Sequence, residues 1–471
     1  MEPDVKAAEA RPPKKKKKKK IMAAPLYGLK PAVVDAIVEA ARADDGKTVR
    51  RLLHPLHFSD VADLLERLDR DDRRRVVAMT RRTLAPEVLT ELDESVRDEV
   101  VQLLDTRQIV AAVRGLETDD AVEILEDLDH QVLSEVLDEV SDADRDAIEE
   151  GLGFPEDSAG RLMQRDYVEV PQSWTVGQTI DRMRESAELP VDFYDIFVID
   201  GRTRELVGKL ALNRLLRTRR PVRVREIMEA DVTSVPAIMD QEDVAILFRD
   251  RDLISAPVVD DRGRLVGTIT VDDIVDVIDE EAEEDLLKLA GLKERDFYQD
   301  ALATTRSRFT WLGVNLGTAI LASAVIGFFA QTIEQAVALA VLMPIVASMG
   351  GNAGTQTLTV TVRAIAMRQF GSGTTWRFVL KEGVVGLVNG LLFAIIMGLI
   401  AGVWFREPML GVVIGVAMVT NLLIAGLSGA LIPLELDRRG IDPAVASTVI
   451  LTTVTDVIGF FTFLGLATVV L

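Results

Sequence analysis

The sequence predicts a multidomain membrane protein: an all-helical region, a duplicated α/β region and a connecting helix, followed by five membrane-spanning helices. Three observations support this prediction. Of the 471 residues, 27% are charged and 48% are hydrophobic, but nearly all the acids and bases lie before about residue 305. The remainder consists of apolar runs of roughly 20–25 residues, the length that crosses a bilayer as a helix. Between residues 155 and 278 one pattern of residues occurs twice.

The composition limits the partners and functions to be expected. The net charge of -21 belongs mainly to the soluble half, which argues against nucleic acid as a partner and favours cations. The chain has no cysteine, so neither disulfides nor thiolate metal sites are available to it. Its start is charged and lacks an apolar core, which predicts that it carries no signal peptide.

Residues 1–24 are predicted to form a basic, disordered tail. Their unbroken lysine run, Lys14 to Lys20, repels itself and has no apolar side chains to bury. Two interpretations of the tail remain open. It is either a solvated segment or a contact for anionic headgroups on the cytoplasmic leaflet.

Residues 25–154 are predicted to form an all-α superhelical domain. Apolar residues recur at helical spacing within Val61–Leu68 and Val122–Leu133. The junctions Asp69–Asp72 and Ser141–Asp144 supply helix caps, and short helices with alternating acidic faces are typical of a stacked, solenoid-like domain. The three histidines of the chain share no metal-ligand spacing and are interpreted as structural or surface residues: His54, His57 and His130.

The duplicated region combines short strand-like apolar runs with helical runs, an α/β pattern. Three segments recur at corresponding places: Val170-Pro171, Phe197–Asp200 and Leu206–Gly208 return as Val235-Pro236, Pro257–Asp260 and Leu265–Gly267. A period of roughly 60–65 residues is long for a solenoid unit and favours two small domains packed together. The pattern resembles a tandem pair of cystathionine-β-synthase (CBS) domains, here residues 155–221 and 222–278, modules that often bind regulatory ligands.

Many CBS domains hold adenosine nucleotides with a Gly–hydrophobic–x–Thr–x–x–Asp segment. The second copy contains this segment, and the first lacks its hydroxyl and its acid: Gly267, Thr270 and Asp273 correspond to Gly208, Ala211 and Arg214. The resemblance therefore implies a site for ATP or another adenine nucleotide in one copy only. In the alternative interpretation Thr270 simply caps the helix that follows it, Val271–Ile278.

An acidic connecting helix is predicted at residues 279–305. Acids crowd the helical run that leads into it: Asp272, Asp273, Asp276, Asp279, Glu280, Glu281, Glu283, Glu284 and Asp285. Like charges at i,i+3 and i,i+4 spacing repel by a few tenths of a kcal/mol per pair. The run is either a solvated acidic face or a weak site for divalent cations, since Mg²⁺ prefers a few carboxylates and retained waters.

Residues 306–471 are predicted to form the membrane domain. Five spans are expected: Phe309–Phe329, Ala336–Ile365, Val384–Phe405, Leu410–Leu431 and Val445–Leu471. The second span is over-long, as in a tilted or broken helix. Basic residues between spans two and three and between spans four and five predict that the soluble half is cytoplasmic and the C-terminus lies outside.

The second span is unusually polar for a membrane helix. The run from Pro344 to Arg363 is crowded with glycine, amide and hydroxyl groups, which must face a protein interior or a water-filled path. In the fifth span, Asp456 is the only carboxylate expected within the spans, and its insertion costs about 3 kcal/mol. The two spans are therefore predicted to line an ion pore. The alternatives are close helix packing for the glycines and capping or pairing within the bundle for Asp456.

Two motifs resemble the MgtE family of Mg²⁺ transporters and channels. The first is Gly350-Gly351-Asn352-x-Gly354-x-Gln356, between Pro344 and Arg363, and the second is Thr455-Asp456-x-x-Gly459. The order of parts also matches: helical domain, CBS pair, acidic connecting helix and five spans. This resemblance covers almost the whole chain after the tail. It implies a homodimer whose pore lies on the subunit interface and is lined by the second and fifth spans.

The resemblance also implies which residues hold ions. In the pore, Asp456 would engage hydrated Mg²⁺, beside the second-span positions Gly351, Asn352, Thr355, Gln356 and Thr359. Thr355 departs from the family, which often has asparagine there. The Mg²⁺-sensing acids of the cytoplasmic half would be Asp240, Glu242, Asp252, Asp273, Asp276, Glu281, Glu284 and Asp285. In the helical domain, Asp119 and Glu123 match an acidic pair that faces the second CBS domain.

The predicted function is a Mg²⁺-selective channel or transporter for uptake across the cytoplasmic membrane, closed when intracellular Mg²⁺ bridges the cytosolic acids. The connecting helix, from about Asp279 to Tyr298, would transmit the change to the pore. An alternative is a CBS-regulated transporter of Co²⁺, Mn²⁺ or another solute, although an anion path would favour basic groups. No enzyme activity is expected, because an intramembrane aspartyl enzyme needs a second carboxylate that faces Asp456.

Overall fold

The computed structural model describes residues 29–186, 189–190, 193–292, 301–371 and 373–470. The described residues form two compact units that divide between Ala112 and Val113. The predicted lysine-rich tail lies outside the described residues, and so does Tyr298 at the expected end of the connecting helix.

The first unit consists of short helices: α1 (Pro31–Arg42), α2 (Gly46–Leu53), α3 (Phe58–Arg67), α4 (Arg70–Thr80), α5 (Glu87–Thr90), α6 (Glu94–Gln102) and α7 (Thr106–Val113), the last of which ends at the division. Their starts follow the predicted capping. The Asp69 carboxylate accepts the backbone N–H of Asp72 at 2.8 Å and begins α4. Buried Arg73 bonds the carbonyl of Leu65 at 2.8 Å and the carboxylate of Glu99 at 2.6 Å, which ties α4 to its neighbours α3 and α6.

The second unit opens with three more helices, α8 (Thr118–Glu126), α9 (His130–Glu139) and α10 (Asp142–Leu152). The predicted cap at Ser141 is present, because its hydroxyl accepts the backbone N–H of Asp144 at 3.1 Å. Helices α8 and α10 pack together, and the side chain of Val122 would meet any Cβ added at Gly151. The acidic residues of α8 are thereby held in a fixed position.

The two sequence copies fold alike. The first contains β1 (Glu169–Pro171), α11 (Val176–Glu185), β2 (Asp195–Ile199), β3 (Leu206–Ala211), α12 (Leu212–Arg217) and α13 (Val224–Ile227). The second contains β4 (Val235–Pro236), α14 (Gln241–Arg251), β5 (Ser255–Val259) and β6 (Leu265–Thr270). In both sheets the middle strand is parallel to the first and antiparallel to the third, with a register shift at the same place, after Val198 and after Val258. The predicted duplicated α/β region is confirmed.

One long helix leads from the second sheet toward the membrane part. Helix α15 (Val271–Leu289) runs for 19 residues without a break, so the acids from Asp272 to Asp285 share one continuous helix. Its inner face, with Ile274 and Val277, is buried against the second CBS copy.

Five of the described helices are long and apolar enough to cross a membrane. They are α16 (Ala301–Phe328), α18 (Ala338–Ala366), α19 (Thr374–Phe405), α20 (Pro408–Arg438) and α21 (Pro443–Val470), with the short α17 (Ala330–Gln335) between the first two. Helix α20 lies at the centre and packs against α18, α19 and α21. The predicted five-helix membrane domain is confirmed. The expected start of the third span is wrong, since α19 begins at Thr374 and not at Val384.

Glycines allow α19 and α20 to approach closely. A Cβ added at Gly386 would lie 2.5 Å from the backbone oxygen of Leu422, and one at Gly426 would lie 2.7 Å from the backbone oxygen of Glu382. Because these neighbours are backbone atoms, neither helix can yield without moving as a whole. In membranes, helices associate mainly through such close packing of small residues.

We expect Gly386→Val to destabilise the membrane domain by about 1–3 kcal/mol, the usual cost of overpacking. The measurement is thermal unfolding of the purified full chain in a neutral detergent. The matched control is Gly317→Val on α16, where an added Cβ meets nothing within 4 Å. Equal melting temperatures for the two variants would contradict this account of the α19–α20 contact.

Candidate functional site

One face of α18 carries a stripe of polar side chains that the other described residues leave uncovered. Ser348, Asn352, Thr355 and Thr359 follow each other at steps of four, three and four residues, and all are exposed, as is Gln356. Polar side chains in a membrane-spanning helix do not face hydrocarbon without a partner. The stripe therefore needs water, an ion or another protein surface against it.

The threonines of the stripe are oriented as acceptors. The Thr355 hydroxyl donates to the carbonyl of Gly351 at 2.9 Å, and the Thr359 hydroxyl donates to the carbonyl of Thr355 at 2.9 Å. A hydroxyl that gives its proton to its own helix presents its lone pairs outward. Outward lone pairs suit a cation or the hydrogens of its hydration waters.

Of the motif glycines of α18, two lie against neighbouring helices and one borders open space. A Cβ at Gly350 would lie 2.3 Å from Nδ2 of Asn421 on α20, and one at Gly354 would lie 2.9 Å from Leu451 on α21. A Cβ at Gly351 would meet nothing within 4 Å. Close helix packing therefore accounts for Gly350 and Gly354, whereas Gly351 leaves open space beside the polar stripe.

Sequence reasoning missed Asn421, which joins the two motifs. Its side chain is fully buried, and its Nδ2 donates to the carbonyl of Val346 on α18 at 2.8 Å. A Cβ at Gly459, the last residue of the second motif, would lie 2.9 Å from the same nitrogen. Asn421 is thus wedged between α18 and α21. The sequence does show an amide side chain within an apolar span. It does not show which residues Asn421 contacts, because they are distant in the sequence.

Helix α21 supplies the candidate carboxylate. Asp456 is partly buried, and no hydrogen bond or ion pair engages it among the described residues. Thr448 and Thr452 precede it at four-residue steps and are likewise partly buried, so the three lie on one side of the helix. The sequence interpretation omitted both threonines, although their spacing is visible in it. Helices α18 and α21 pack directly against each other.

The span α19 also contains a carboxylate, so the expectation that Asp456 is the only one within the spans is wrong. Glu382 is buried, accepts the hydroxyl of Thr357 on α18 at 3.1 Å and lies 3.1 Å from Nζ of Lys381. It was missed because the expected span began after it. Its partners show that it holds α19 against the inner face of α18, away from the exposed stripe.

In the soluble half, acids of α8 face the first turn of α15. Burial and the neighbouring charge of Asp273 raise the pKa of Asp119 well above its usual range. Burial, then the charges of Glu123 and Asp273, raise the pKa of Asp120 to about 7. Burial also raises the pKa of Asp273 to about 7, although its hydrogen bond with Thr270 opposes the shift. The structure brings these carboxylates together, and Asp120 is a member that sequence reasoning missed.

The three residues of the predicted nucleotide segment have partners within the chain. The Asp273 carboxylate accepts the hydroxyl of Thr270 at 2.8 Å and the amide of Gln164 at 3.3 Å. A Cβ at Gly267 would lie 2.7 Å from Sδ of Met163. Thr270 and Asp273 thus form a capping box at the start of α15, in agreement with the capping interpretation.

A second acid cluster lies between the start of α14 and the later turns of α15. Burial, followed by the charges of Glu281, Asp285 and Asp240, raises the pKa of Glu242 to about 7. The pKa values of Glu281 and Asp285 are also raised, mainly by burial. The amide of Gln241 donates to Glu281 at 2.8 Å. Asp157 borders the cluster and was not predicted.

The remaining predicted acids are placed differently. Asp252 is exposed and ends α14 in the left-handed conformation, with φ of 50°. Asp276 is exposed on α15. Glu284 binds Nζ of Lys288 at 2.5 Å. Among the described residues, no three His, Asp or Glu side chains are arranged to enclose a metal ion by themselves.

The end of α15 contacts the ends of the two polar spans. Nζ of Lys288 lies 3.1 Å from Asp442, just before α21. The Thr448 hydroxyl donates to the carbonyl of Leu289 at 3.2 Å, and Leu289 packs against a cluster that includes Leu358 of α18.

Helix α14 touches the loop that follows α18, where Arg368 pairs with Asp243. Both basic loops of the membrane part, the one after α18 and the one before α21, therefore meet the acidic soluble half.

These features define a class: a membrane transport protein with a polar helix pair in its bundle and a CBS-containing soluble part. Comparison with known proteins narrows the class. The family model described as a divalent cation transporter matches residues 343–466, the MgtE intracellular N domain matches residues 56–157, and the CBS domain matches residues 224–280.

The magnesium transporter MgtE of Thermus thermophilus is 33% identical over 446 residues, which are 93% of this chain and 98% of that protein. The protein of the same name from Bacillus subtilis is 29% identical over 427 residues, 90% of this chain and 94% of that one. A crystal structure of the cytosolic domain of the Mg²⁺ channel MgtE in complex with ATP covers 52% of this chain and 99% of that chain, at 32% identity and a TM-score of 0.47. The chain belongs to the MgtE family, as its motifs predict.

The raised carboxyl pKa values predict that stability depends on pH. A folded pKa of about 7 for Asp120 and Asp273, above the usual 3.8, means that apposition of α8 and α15 is fully stabilised below pH ~4. That stabilisation is lost as the pH rises through about 7. We expect the melting temperature of the full chain in chelator to fall between pH 5 and pH 8.

In the same assay Asp120→Asn should raise the melting temperature more at pH 8 than at pH 5, because the folded-state carboxyl is still protonated at pH 5 and must ionise as the pH rises through about 7. The control is Asp146→Asn, an exposed acid of α10. A gain for Asp120→Asn that is equal at both pH values would refute the repulsion between these acids.

Proposed function

We propose that this protein carries Mg²⁺ across the cytoplasmic membrane through a path lined by α18 and α21. The observation that supports this most directly is Asp456, a carboxylate in a membrane-spanning helix that no other described residue engages in a hydrogen bond or ion pair. Mg²⁺ sheds water reluctantly, so its path needs one or two carboxylates together with hydroxyl and amide groups that hold the hydration shell. Asn352, Thr355 and Thr359 supply such groups, while Gly351 leaves room beside them.

A second copy of the chain would complete the path. The polar stripe of α18 is exposed in the single chain, although hydrocarbon is not a suitable neighbour for it. A homodimer with the α18 and α21 faces opposed would enclose the stripe and bring two Asp456 carboxylates to one axis. Two carboxylates balance the charge of one divalent ion.

The soluble half would lie in the cytoplasm and the C-terminus outside. Support comes from the basic loops, which the positive-inside rule assigns to the cytoplasm. The same loops contact the acidic half through Lys288–Asp442 and Arg368–Asp243. The direct contacts and the charge rule therefore agree on one orientation.

The acid clusters would gate the path. Without Mg²⁺, carboxylates of α8, α14 and α15 repel one another, which favours separation of the parts that carry them. Bound Mg²⁺ would remove the repulsion and stabilise the compact arrangement, in which the end of α15 rests on α18 and α21. Within the described parts of the chain no cluster encloses an ion by itself, which suits weak binding of several hydrated ions acting together.

Rival functions are less well supported. Co²⁺ or Mn²⁺ would meet the same oxygen ligands, so these ions are the main alternative cargo. An intramembrane aspartyl enzyme is disfavoured because Glu382, a carboxylate of the span α19, is engaged by Thr357 and Lys381. An adenine nucleotide at Gly267, Thr270 and Asp273 would have to displace Asp273 from its bonds with Thr270 and Gln164.

Removal of the charge at Asp456 tests the path. We expect the native chain to restore growth of Mg²⁺-uptake-deficient cells at low Mg²⁺, and we expect Asp456→Ala to fail, because the path then offers no charge to the ion. The control Asp437→Asn removes an exposed carboxylate at the end of α20 and should rescue fully. Full rescue by Asp456→Ala, at equal expression, would count against the proposed path.

Neutralising the acids tests the gate. In proteoliposomes, Mg²⁺ on the cytoplasmic face should inhibit flux through the native chain and lose most of this effect in Asp273→Asn/Asp276→Asn/Glu284→Gln. The variant should still conduct, because the path is unchanged. The control pair Asp231→Asn/Asp261→Asn removes exposed acids outside the clusters. Undiminished inhibition in the triple variant would exclude sensing by these acids.

A further inference from the structure

A pocket of about 450 Å³ opens between the last turns of α18 and the first turns of α19. One wall is apolar and well supported. The rings of Phe370 and Phe378 meet edge to face with centroids 5.3 Å apart. Both pack against the buried cluster of Val379, Ala430 and Leu434 that joins α19 to α20. The pocket is therefore built into the helix bundle.

Two other residues of the lining are cationic. Arg363 and Lys381 both line the pocket. Lys381 shares its charge with Glu382 at 3.1 Å and lies 5.5 Å from the centre of the Phe378 ring. No carboxylate lies within 4.0 Å of Arg363 among the described residues. The positive charges of Arg363 and Lys381 are thus balanced by only one nearby negative charge, that of Glu382. The side chain of Gln369 adds an exposed amide to the lining. The pocket carries net positive charge and suits an anion with several acceptor oxygens.

The surroundings are apolar and exposed, which favours an amphiphile over a free ion. Val360 lines the pocket and is 51% exposed, and Trp376 and Leu380 beside it on α19 are 62% and 52% exposed. A tryptophan at the end of a span, next to basic residues, is typical of the headgroup level of a bilayer. Basic pockets between membrane helices at this level suit phosphate-bearing headgroups.

We propose that this pocket binds the headgroup of an anionic phospholipid, with Arg363 and Lys381 on the phosphate and an acyl chain against Val360. The occupant bridges the end of α18 to the start of α19. Since α18 carries the polar stripe, the lipid holds the inner end of the candidate ion path. The effect on the ion path and the assignment to the cytoplasmic leaflet rest on the proposed function. The binding of the lipid itself does not.

The test is binding by the purified full chain in a neutral detergent. Phosphatidylglycerol, phosphatidylcholine and inorganic phosphate are titrated separately, and the melting temperature is recorded at each concentration. Phosphatidylglycerol should stabilise the chain in a saturable manner and the other two should not. Arg363→Gln and Lys381→Gln should each raise the half-saturating concentration about fivefold. The control Arg377→Gln removes an exposed charge of α19 outside the pocket and should change it less than twofold.

The charge-preserving variants Arg363→Lys and Lys381→Arg should keep the native response, which separates loss of a cation from loss of the fold. If phosphatidylglycerol stabilised the double variant Arg363→Gln/Lys381→Gln as strongly as the native chain, the proposal would be overturned. The same holds if Arg377→Gln weakened lipid binding as much as the pocket variants do. Stabilisation by inorganic phosphate equal to that by phosphatidylglycerol would assign the pocket to a soluble anion instead. Because no transport is measured, failure of the ion path leaves this result intact.

Discussion

Hydrocarbon offers no partner to a polar group, and this constraint decides how the membrane half is arranged. Helix α18 shows the consequence on its two sides. On the inner side two polar groups of the helix are paired: Glu382 accepts the Thr357 hydroxyl, and the Asn421 amide nitrogen donates to the carbonyl of Val346. On the outer side Asn352 and Thr359 are exposed, and the hydroxyl lone pairs point away from the helix. The exposed polar face of α18 therefore needs a polar neighbour, such as water, an ion or another protein surface.

The soluble half is governed by the opposite condition, an excess of one charge in water. Acids of α8 and α14 are held close to acids of α15, and their raised pKa values measure how unfavourable their ionisation is in that arrangement. A proton or a divalent cation relieves the repulsion. Helix α15 carries acids of both clusters and then contacts Asp442 and the cluster around Leu358, so in the proposed gate the relief would act at the ends of α18 and α21 that α15 touches.

Much of the fold was predictable because its signals are local. The caps at Asp69 and Ser141 depend on residues three positions away, and the two CBS sheets repeat the same short runs with the same register shift. The spans follow from runs of apolar residues. Reliance on local signals also explains why Glu382 was missed. This residue precedes the apolar run, and its partner Thr357 lies 25 residues earlier on another helix. Asn421 bonds a carbonyl 75 residues away, which no local pattern records.

The sequence alone determined the order of parts, the five apolar helices, the duplicated α/β region and the family, because each depends on residue types at short spacing. It also singled out Asp456 and the polar run of α18. Only the tertiary structure decided which glycines are packing sites, since Gly350 and Gly354 face neighbouring side chains and Gly351 faces none. It also decided which acids are neighbours, because charges on α8, α14 and α15 interact through space. Spacing along a chain cannot show which faces of separate helices meet.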